Sequence, residues 1–355
     1  MKKNIFIIDD SALMRRVISD IIESDERFQV FGVAINGLDA LSIIQGKAGE
    51  IDAVLLDINM PRMDGLEFLT ELKNQNIKAT VIVVSTIAKK DAKETILALE
   101  LGAFDFVTKP ESYDEVKGNR FSDRLLACLA VATKLPAGNE NEKVKPAKEA
   151  AHRKCQVPTV KIGNKLVAIA CSTGGPKALH TVVPLLPEKL DAPVLIVQHM
   201  PEGFTKSLAD RLNELSRVNV KEAEHGEILV KGTVYIAKGG NHLRVLEDAA
   251  GNYILSISEE PTRRGLLPCA DIMYESLVHT DFEEITCVIL TGMGADGTEG
   301  ITKLNKKKKI HVIAQNEETC IVYGMPKVIH ESGLVDEVVA LSEVSDAIIK
   351  NVGVQ

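Results

Sequence analysis

Three short runs in the second half of the chain carry side chains that could hydrolyse an ester. Ser172 lies in ACSTGGP, His199 in VQHMPEGFT and Asp296 in TGMGADG, and each run follows a stretch of apolar residues. A serine is a weak nucleophile, a histidine can take its proton near neutral pH, and a carboxylate can hold the histidine in one tautomer. If the apolar stretches are strands of one parallel sheet, the three side chains lie at the same edge. The pattern therefore predicts a serine hydrolase.

Each of these residues also has a structural interpretation when it is considered alone. A serine before a helix is a favoured N-cap, a single histidine is often a hydrogen-bonded core residue, and Asp296 could cap the helix that follows it. The combination of the three favours the triad. Their chain order differs from that of chymotrypsin, subtilisin and the α/β-hydrolases, so none of those folds is implied. Backbone N–H groups of the glycine-rich loop at 292–297 are candidate donors to an oxyanion.

The first third of the chain has three carboxylates and one lysine at predicted strand ends. Asp9 and Asp10 follow the first strand, Asp57 follows the third, and Lys109 follows the fifth. In a parallel sheet these ends share one edge, so the side chains converge in one crevice. Carboxylate oxygens suit Mg²⁺, and a carboxylate beside Mg²⁺ can attack phosphorus to form an acyl phosphate. The sequence therefore predicts a site that accepts a phosphoryl group.

The elements that position these residues alternate in the βα pattern of a parallel sheet covered on both faces. For the first domain we predict five strands and five helices, at 4–8, 28–34, 53–56, 81–84 and 105–107, and at 12–22, 38–45, 66–72, 92–101 and 121–133. For the second we predict a mainly parallel sheet with strands at 166–170, 194–198, 286–290 and 311–314, and helices at 176–186, 204–215, 271–278, 298–304 and 342–349. Strands at 234–237 and 253–257 are predicted to form a small antiparallel insertion around 230–258.

The composition changes between these two α/β regions. Residues 134–160 are rich in Lys, Glu, Pro and Ala, which is typical of a solvated linker. We therefore divide the chain into a first domain at 1–133, a linker at 134–160 and a second domain at 161–355. Two domains also agree with the length of 355 residues.

Charge and hydropathy argue against some classes of partner. The formal net charge of −8 is unfavourable for a nucleic-acid surface, so we expect no nucleic acid among the main partners. No apolar stretch approaches the ~18 residues of a membrane span, and the run after Met1 is too short for a signal peptide. We expect a cytoplasmic protein without direct membrane insertion. The six cysteines lack C-x-x-C spacing and are expected to be reduced.

The first domain resembles the receiver domains of response regulators, through IIDDSALMRR, LLDINMPRMDGLEFL, VVSTIA and FVTKP. The resemblance implies a flavodoxin-like fold with a parallel five-stranded sheet, and phosphorylation of Asp57 by a histidine kinase. It implies that Mg²⁺ is held by Asp9, Asp10, Asp57 and the carbonyl group of Asn59. It also implies that Ser85 senses the phosphoryl oxygen, that Lys109 pairs with it, and that Phe106 is the switching aromatic residue.

The second domain is similar to the chemotaxis protein-glutamate methylesterases of the CheB family. The three runs above and AQNEETCIVYGMP carry this resemblance, which extends over essentially the full chain. It implies that Ser172 attacks glutamate methyl esters on methyl-accepting chemoreceptors, that His199 transfers the proton, and that Asp296 orients His199. It implies that the backbone N–H of Met293 donates to the oxyanion. It further implies deamidation of selected glutamines and no cofactor for the hydrolase step.

One segment departs from the family pattern. Where the family often has H-R-P-S-V-D, this chain has Gly265-Leu266-Leu267-Pro268-Cys269-Ala270-Asp271, which predicts a different wall of the substrate cleft. A same-family esterase acting on a receptor system outside chemotaxis is therefore one alternative. Another is a phosphorylation-dependent binding protein with a vestigial triad. A DNA-binding regulator is disfavoured, because the second domain lacks a small basic module.

The domain order suggests how activity is controlled. We hypothesise that the unphosphorylated receiver covers the cleft near Ser172 and that phosphorylation of Asp57 weakens this contact.

Overall fold

The computed structural model describes residues 2–86, 88–110, 120–135 and 164–355. The chain divides into two compact units, Met1–Lys143 and Val144–Gln355, and each is described by itself. Almost all of the predicted linker at 134–160 lies outside the described residues, as does Cys155. The predicted domain boundaries therefore stay a prediction.

The first unit is a five-stranded parallel sheet with strand order β2-β1-β3-β4-β5. Its strands are β1 Lys3–Ile8, β2 Phe28–Ala34, β3 Ala53–Leu56, β4 Val81–Ser85 and β5 Asp105–Thr108. Its helices are α1 Ala12–Glu23, α2 Gly37–Lys47, α3 Gly65–Asn74, α4 Lys89–Glu100 and α5 Arg120–Ala132. All ten predicted elements are present, with ends that differ from the prediction by at most three residues.

Local sequence explains why the elements of the first unit begin where they do. Every residue of β3 and β4 is buried, as expected for central strands of a sheet covered on both faces. Three helices begin at side-chain caps, since Ser11, Asn36 and Asp64 each accept a backbone N–H of the first turn. Asp64 and Glu67 form a reciprocal capping box at α3.

The second unit is a seven-stranded parallel sheet with a separate two-stranded antiparallel sheet. The strand order of the large sheet is β14-β13-β12-β6-β7-β9-β8. The strands are β6 Lys165–Cys171, β7 Val194–Gln198, β8 Asn219–Glu222, β9 Thr233–Ile236, β10 His242–Glu247, β11 Tyr253–Ser258, β12 Glu284–Ile289, β13 Ile310–Gln315 and β14 Glu337–Val339. The helices are α6 Gly175–Val182, α7 Phe204–Leu215, α8 Ala270–Ser276, α9 Thr298–Asn305, α10 Met325–Glu331 and α11 Val344–Val352.

Short 3-10 helices extend several of these elements. The described residues include five of them, at Ala48–Glu50, Val183–Leu185, Leu277–His279, Glu317–Thr319 and Leu341–Glu343. None of the helices in the described part of the chain combines the length and apolar content needed to cross a bilayer. The five described cysteines are free, and all but Cys320 are buried.

The prediction of a small antiparallel sheet is confirmed, but its extent differs from 230–258. Strand β9 belongs to the large sheet, where it pairs in parallel with β7 and β8. All four of its residues are buried, so it lies inside a covered sheet and cannot be a solvated hairpin arm. Only β10 and β11 form the antiparallel pair.

Four elements have no counterpart in the prediction: β8, β10, β14 and α10. Strand β8 reads NVKE and β14 reads EVV, and both lie at edges of the sheet. Edge strands carry charged residues on their open side, which weakens the apolar signal. Helix α10 has seven residues with a proline in its first turn, which is too short for a clear helical period.

Candidate active site and phosphoacceptor site

The candidate nucleophile lies in a tight turn between β6 and α6. The N–H of Gly175 donates to the main-chain oxygen of Ser172 at 2.7 Å, and Gly174 has φ +76°. This is the geometry of a type II turn, which favours glycine at its third position. A Cβ atom on Gly174 would also lie 2.7 Å from the Cβ of Ile321. The two glycines of the run thus let the chain reverse at Ser172.

The candidate base lies next to this turn because β6 and β7 are neighbours. Cys171 pairs with Gln198 in the parallel register, and the N–H of His199 donates to the oxygen of Cys171 at 3.2 Å. Ser172 and His199 are therefore the first residues beyond two paired strands, which lie about 4.8 Å apart in sheets. Both side chains are largely buried.

The candidate acid contacts the base directly. His199 Nε2 lies 2.7 Å from Asp296 Oδ2, within a buried pair. Asp296 also accepts hydrogen bonds from four further donors at 2.6–3.1 Å, the N–H groups of Ala270, Asp271 and Gly297 and the Sγ of Cys269. Burial opposes the charge, but the hydrogen bond and charge of His199 and these N–H groups outweigh it, so the pKa of Asp296 is below its ordinary value.

This arrangement determines the tautomer of the imidazole. An ionised Asp296 only accepts, so the proton of neutral His199 lies on Nε2 and donates to Oδ2. The lone pair is then on Nδ1, which makes no hydrogen bond to any other described residue. In a serine hydrolase, one ring nitrogen of the histidine likewise bonds the carboxylate, and the other is free to take the proton of the serine.

The glycine-rich loop after β12 packs against the nucleophile. The N–H of Ser172 donates to the oxygen of Thr291 at 3.0 Å, and a Cβ atom on Gly292 would lie 2.8 Å from the Cβ of Ser172. Within the described part of the chain, the N–H of Met293 donates to no acceptor. An unpartnered N–H one residue from this close contact is available to an oxyanion on a substrate.

The segment that departs from the family pattern lies directly behind the acid. Arg263 and Leu266 exchange two backbone hydrogen bonds at 3.2 and 3.0 Å around Arg264 and Gly265, which have φ +52° and +76°. This turn is followed by residues 269–271, whose thiol and backbone N–H groups donate hydrogen bonds to Asp296. These donors were missed in the sequence. Their one available signal was that they lie at the start of a predicted helix, where N–H groups are free to bind an anion.

Asp271 is a second buried carboxyl in this region. Its Oδ1 accepts from the N–H groups of Gly297 at 3.0 Å and Gly300 at 2.7 Å, so it caps α9. Burial, together with the nearby charge of Asp296, raises the pKa of Asp271 to about 6. Because folding raises the pKa of Asp271, this carboxyl ionises more easily in the unfolded chain than in the folded one. Its contribution to the free energy of unfolding therefore falls as the pH rises from the ordinary pKa of an aspartate to about 6.

We therefore expect Asp271→Asn to be more stabilising at high pH than at low pH. The amide oxygen can still accept both N–H groups, while the buried charge is gone. The pH-dependent gain is at most about 3 kcal/mol, from the displacement of the pKa. Calorimetric unfolding of the full chain at about pH 4.5 and about pH 8 measures it. A difference between variant and wild type that is the same at both pH values contradicts the assignment.

The first unit brings its predicted acid residues together. Lys109 Nζ lies 2.8 Å from Asp9 Oδ2 and 2.9 Å from Asp57 Oδ2, and oxygens of Asp9, Asp10 and Asp57 lie within 4.8 Å of one another. Burial raises the pKa of Asp57, although Lys109 acts in the opposite direction. Three hard oxygen donors, two of them on the buried carboxylates of Asp9 and Asp57, fit a divalent cation such as Mg²⁺.

The other predicted receiver residues have specific neighbours. Ser85 is buried at the end of β4, where its Oγ lies 2.8 Å from Oγ1 of Thr95 on α4. Asn59 is exposed, and its Nδ2 donates to Asp91 Oδ1 at 2.9 Å. The hydroxyl of Thr86 also contacts Asp91. Thr95 and Asp91 were missed in the sequence, because only the packing of α4 over this edge brings them near. Phe106 is buried on β5.

Comparison with known families gives two matches. Residues 167–348 match the family described as CheB methylesterase, and residues 5–119 match the response regulator receiver domain. The two matched segments correspond to the two compact units of the fold.

Comparison with curated proteins and solved structures gives matches over the full chain and over the second unit. A protein-glutamate methylesterase/protein-glutamine glutaminase of Syntrophomonas wolfei is 42% identical over 98% of this chain and 99% of its own. A protein of the same name from Halalkalibacterium halodurans is 43% identical over 98% and 97%. The crystal structure of the Thermotoga maritima CheB methylesterase catalytic domain is 40% identical, with a TM-score of 0.51 over 53% of this chain and 99% of that one.

Proposed function

Because the chain belongs to the CheB methylesterase family, we propose that it is a protein-glutamate methylesterase and protein-glutamine glutaminase that uses Ser172, His199 and Asp296 as its triad. The single observation that supports this most is the buried His199–Asp296 pair at 2.7 Å. It leaves Nδ1 as a free base beside the nucleophile turn. The substrates we propose are methylated glutamates and selected glutamines on chemoreceptors.

The proposed reaction proceeds through an acyl-enzyme. Ser172 Oγ attacks the ester carbonyl carbon while its proton passes to His199 Nδ1, and the N–H of Met293 donates to the oxyanion. His199 then gives this proton to the departing methoxide, which leaves as methanol, or to the departing amine, which leaves as ammonia. Water attacks the acyl-enzyme, His199 takes a proton from it and returns it to Ser172, and glutamate is released.

We further propose that the first unit regulates this reaction through phosphorylation of Asp57 by a histidine kinase. Asp9, Asp10, Asp57 and the carbonyl of Asn59 would hold Mg²⁺, which offsets the repulsion between the carboxylates and the incoming phosphoryl oxygens. Lys109 already bridges Asp9 and Asp57 and would pair with the phosphoryl group. Ser85 would leave Thr95 to bind a phosphoryl oxygen, and Phe106 would respond to that movement.

The test is methanol release from methyl-labelled receptor membranes, with and without acetyl phosphate and Mg²⁺. We expect wild type to release methanol and the rate to rise by about 5–150-fold with the phosphodonor, because a regulatory coupling is typically about 1–3 kcal/mol. Asp57→Asn should keep the basal rate and lose the increase. The matched control is Asp20→Asn, an exposed aspartate of α1 paired with Arg16, which should respond like wild type.

Two outcomes contradict parts of this proposal. An equal response of wild type and Asp57→Asn to acetyl phosphate removes Asp57 as the phosphoacceptor. No release from wild type in any condition removes chemoreceptor esters as the substrate. If a small-molecule methyl ester is nevertheless cleaved, the esterase acts on another receptor system, and the departure at residues 265–270 is the first place to look for its specificity.

A further inference from the structure

The side chain of Gln198, at the carboxyl end of β7, lies between the nucleophile turn and the base. It is only 2% exposed. Its Nε2 donates to the main-chain oxygen of Ser172 at 3.0 Å and to that of His199 at 3.3 Å. A primary amide carries two N–H donors, so this single group joins the carbonyls of both residues.

The other end of the amide is held equally closely. Cys171 Sγ donates to Gln198 Oε1 at 3.0 Å. A Cβ atom at Gly175 would lie 1.9 Å from Oε1, so only glycine leaves the space that the amide occupies. Two carbonyl oxygens can accept only from the NH₂ end, and these contacts together determine the orientation of the amide.

The strand pairing by itself stops just before the two reactive side chains. The last backbone bond of the β6–β7 edge joins the N–H of His199 to Cys171, and beyond it Ser172 enters its turn while the chain after His199 leads to Gly203. Among the described residues, no other side chain bonds to the main chain of both Ser172 and His199. Gln198 is therefore the link across the point where the two segments separate.

We propose that Gln198 is a positioning residue for the reaction, whose amide sets the separation of Ser172 Oγ and His199 Nδ1 by holding their backbones together. This inference rests on the proposed triad. Proton transfer needs the two atoms about 2.6–3.2 Å apart, and a misplacement of about 1 Å costs about 10²-fold in rate. Because Gln198 is buried and does not reach the substrate, its loss lowers kcat and leaves KM nearly unchanged.

The experiment compares the full-length chain and its Gln198→Met variant, both with acetyl phosphate and Mg²⁺, over a range of methyl-labelled receptor concentrations. We expect kcat to fall by about 10–100-fold with KM within about twofold of wild type. Gln198→Glu keeps the shape and the acceptor oxygen but lacks the NH₂ group, and should lose kcat in the same way. It replaces the methionine variant in the comparison if that variant does not fold.

Tyr274→Phe is the matched control. The buried Tyr274 hydroxyl donates to the main-chain oxygen of Ala168 at 3.0 Å and lies 3.3 Å from that of Val288, and it makes no hydrogen bond to Ser172, His199 or Asp296. It should lower the melting temperature as Gln198→Met does, while kcat stays at the wild-type value.

The outcomes separate this inference from the proposed triad. Wild-type kcat in both Gln198 variants overturns it, and so does an equal loss of kcat in Tyr274→Phe, since the effect would then reflect stability alone. If Ser172→Ala retains full activity, the triad itself is wrong. If Ser172→Ala is inactive while the Gln198 variants are normal, only the positioning role fails.

Discussion

Replacing Ser172 by alanine is expected to lower kcat for methanol release by about 10⁶-fold, with the full chain still folded. Ser172 Oγ is the only atom that would bond covalently to the substrate, so its removal eliminates the acyl-enzyme and leaves oxyanion binding alone. The side chain is buried at a turn whose backbone bonds do not involve Oγ, so the fold should tolerate the change. Methanol release with phosphodonor, together with the melting temperature, measures both effects.

The matched control for this variant is Ser345→Ala. Ser345 is a buried serine whose Oγ donates to the oxygen of Val182 at 3.1 Å, on the face of the sheet that carries α6 and α11. Its loss should cost stability without lowering kcat. Covalent labelling with a fluorophosphonate should occur in wild type and in Ser345→Ala but not in Ser172→Ala. Labelling of Ser172→Ala to the wild-type extent would assign the nucleophile to another residue.

The second large effect is expected for Asp296→Asn, which should lower kcat by about 10⁴-fold while KM changes little. Both oxygens of Asp296 accept from N–H donors: Oδ2 from His199 and Ala270, and Oδ1 from Asp271 and Gly297. In the asparagine variant the NH₂ group replaces one of these two oxygens, so in either orientation of the amide it faces an N–H donor in place of an acceptor. When it faces His199, it stabilises the tautomer with the proton on Nδ1, which cannot accept the proton of Ser172.

Asp336→Asn is the control for loss of an aspartate that faces a histidine. Asp336 Oδ2 accepts the N–H of Val312 at 2.8 Å and lies 3.8 Å from His311 Nδ1, at the opposite end of the sheet from the candidate site. It should leave kcat unchanged. If Asp296→Asn were as active as Asp336→Asn, His199 would not depend on Asp296 for its tautomer, and the third member of the triad would have to be sought elsewhere.

The α/β class and the position of each candidate residue at a strand end follow from the sequence by itself. The central strands β3, β4 and β7 are apolar up to a polar residue at or just beyond their carboxyl end, and β6 is apolar from Leu166 to Cys171, so these strand ends are visible without any knowledge of the fold. Because parallel strands present their carboxyl ends at one edge, residue type and strand end together are enough to group Ser172, His199 and Asp296, or Asp9 and Asp57.

The tertiary structure alone decided which neighbours these residues have. Only the strand order places β12, β6 and β7 side by side, and the parallel pairing of β9 runs against the local turn signals. The donors to Asp296, the contact of Thr95 with Ser85 and the two bonds from Gln198 join residues distant along the chain or depend on a buried side-chain orientation. Such contacts depend on how side chains pack and satisfy their hydrogen bonds across the whole unit. A local pattern of residues is therefore not enough to predict them.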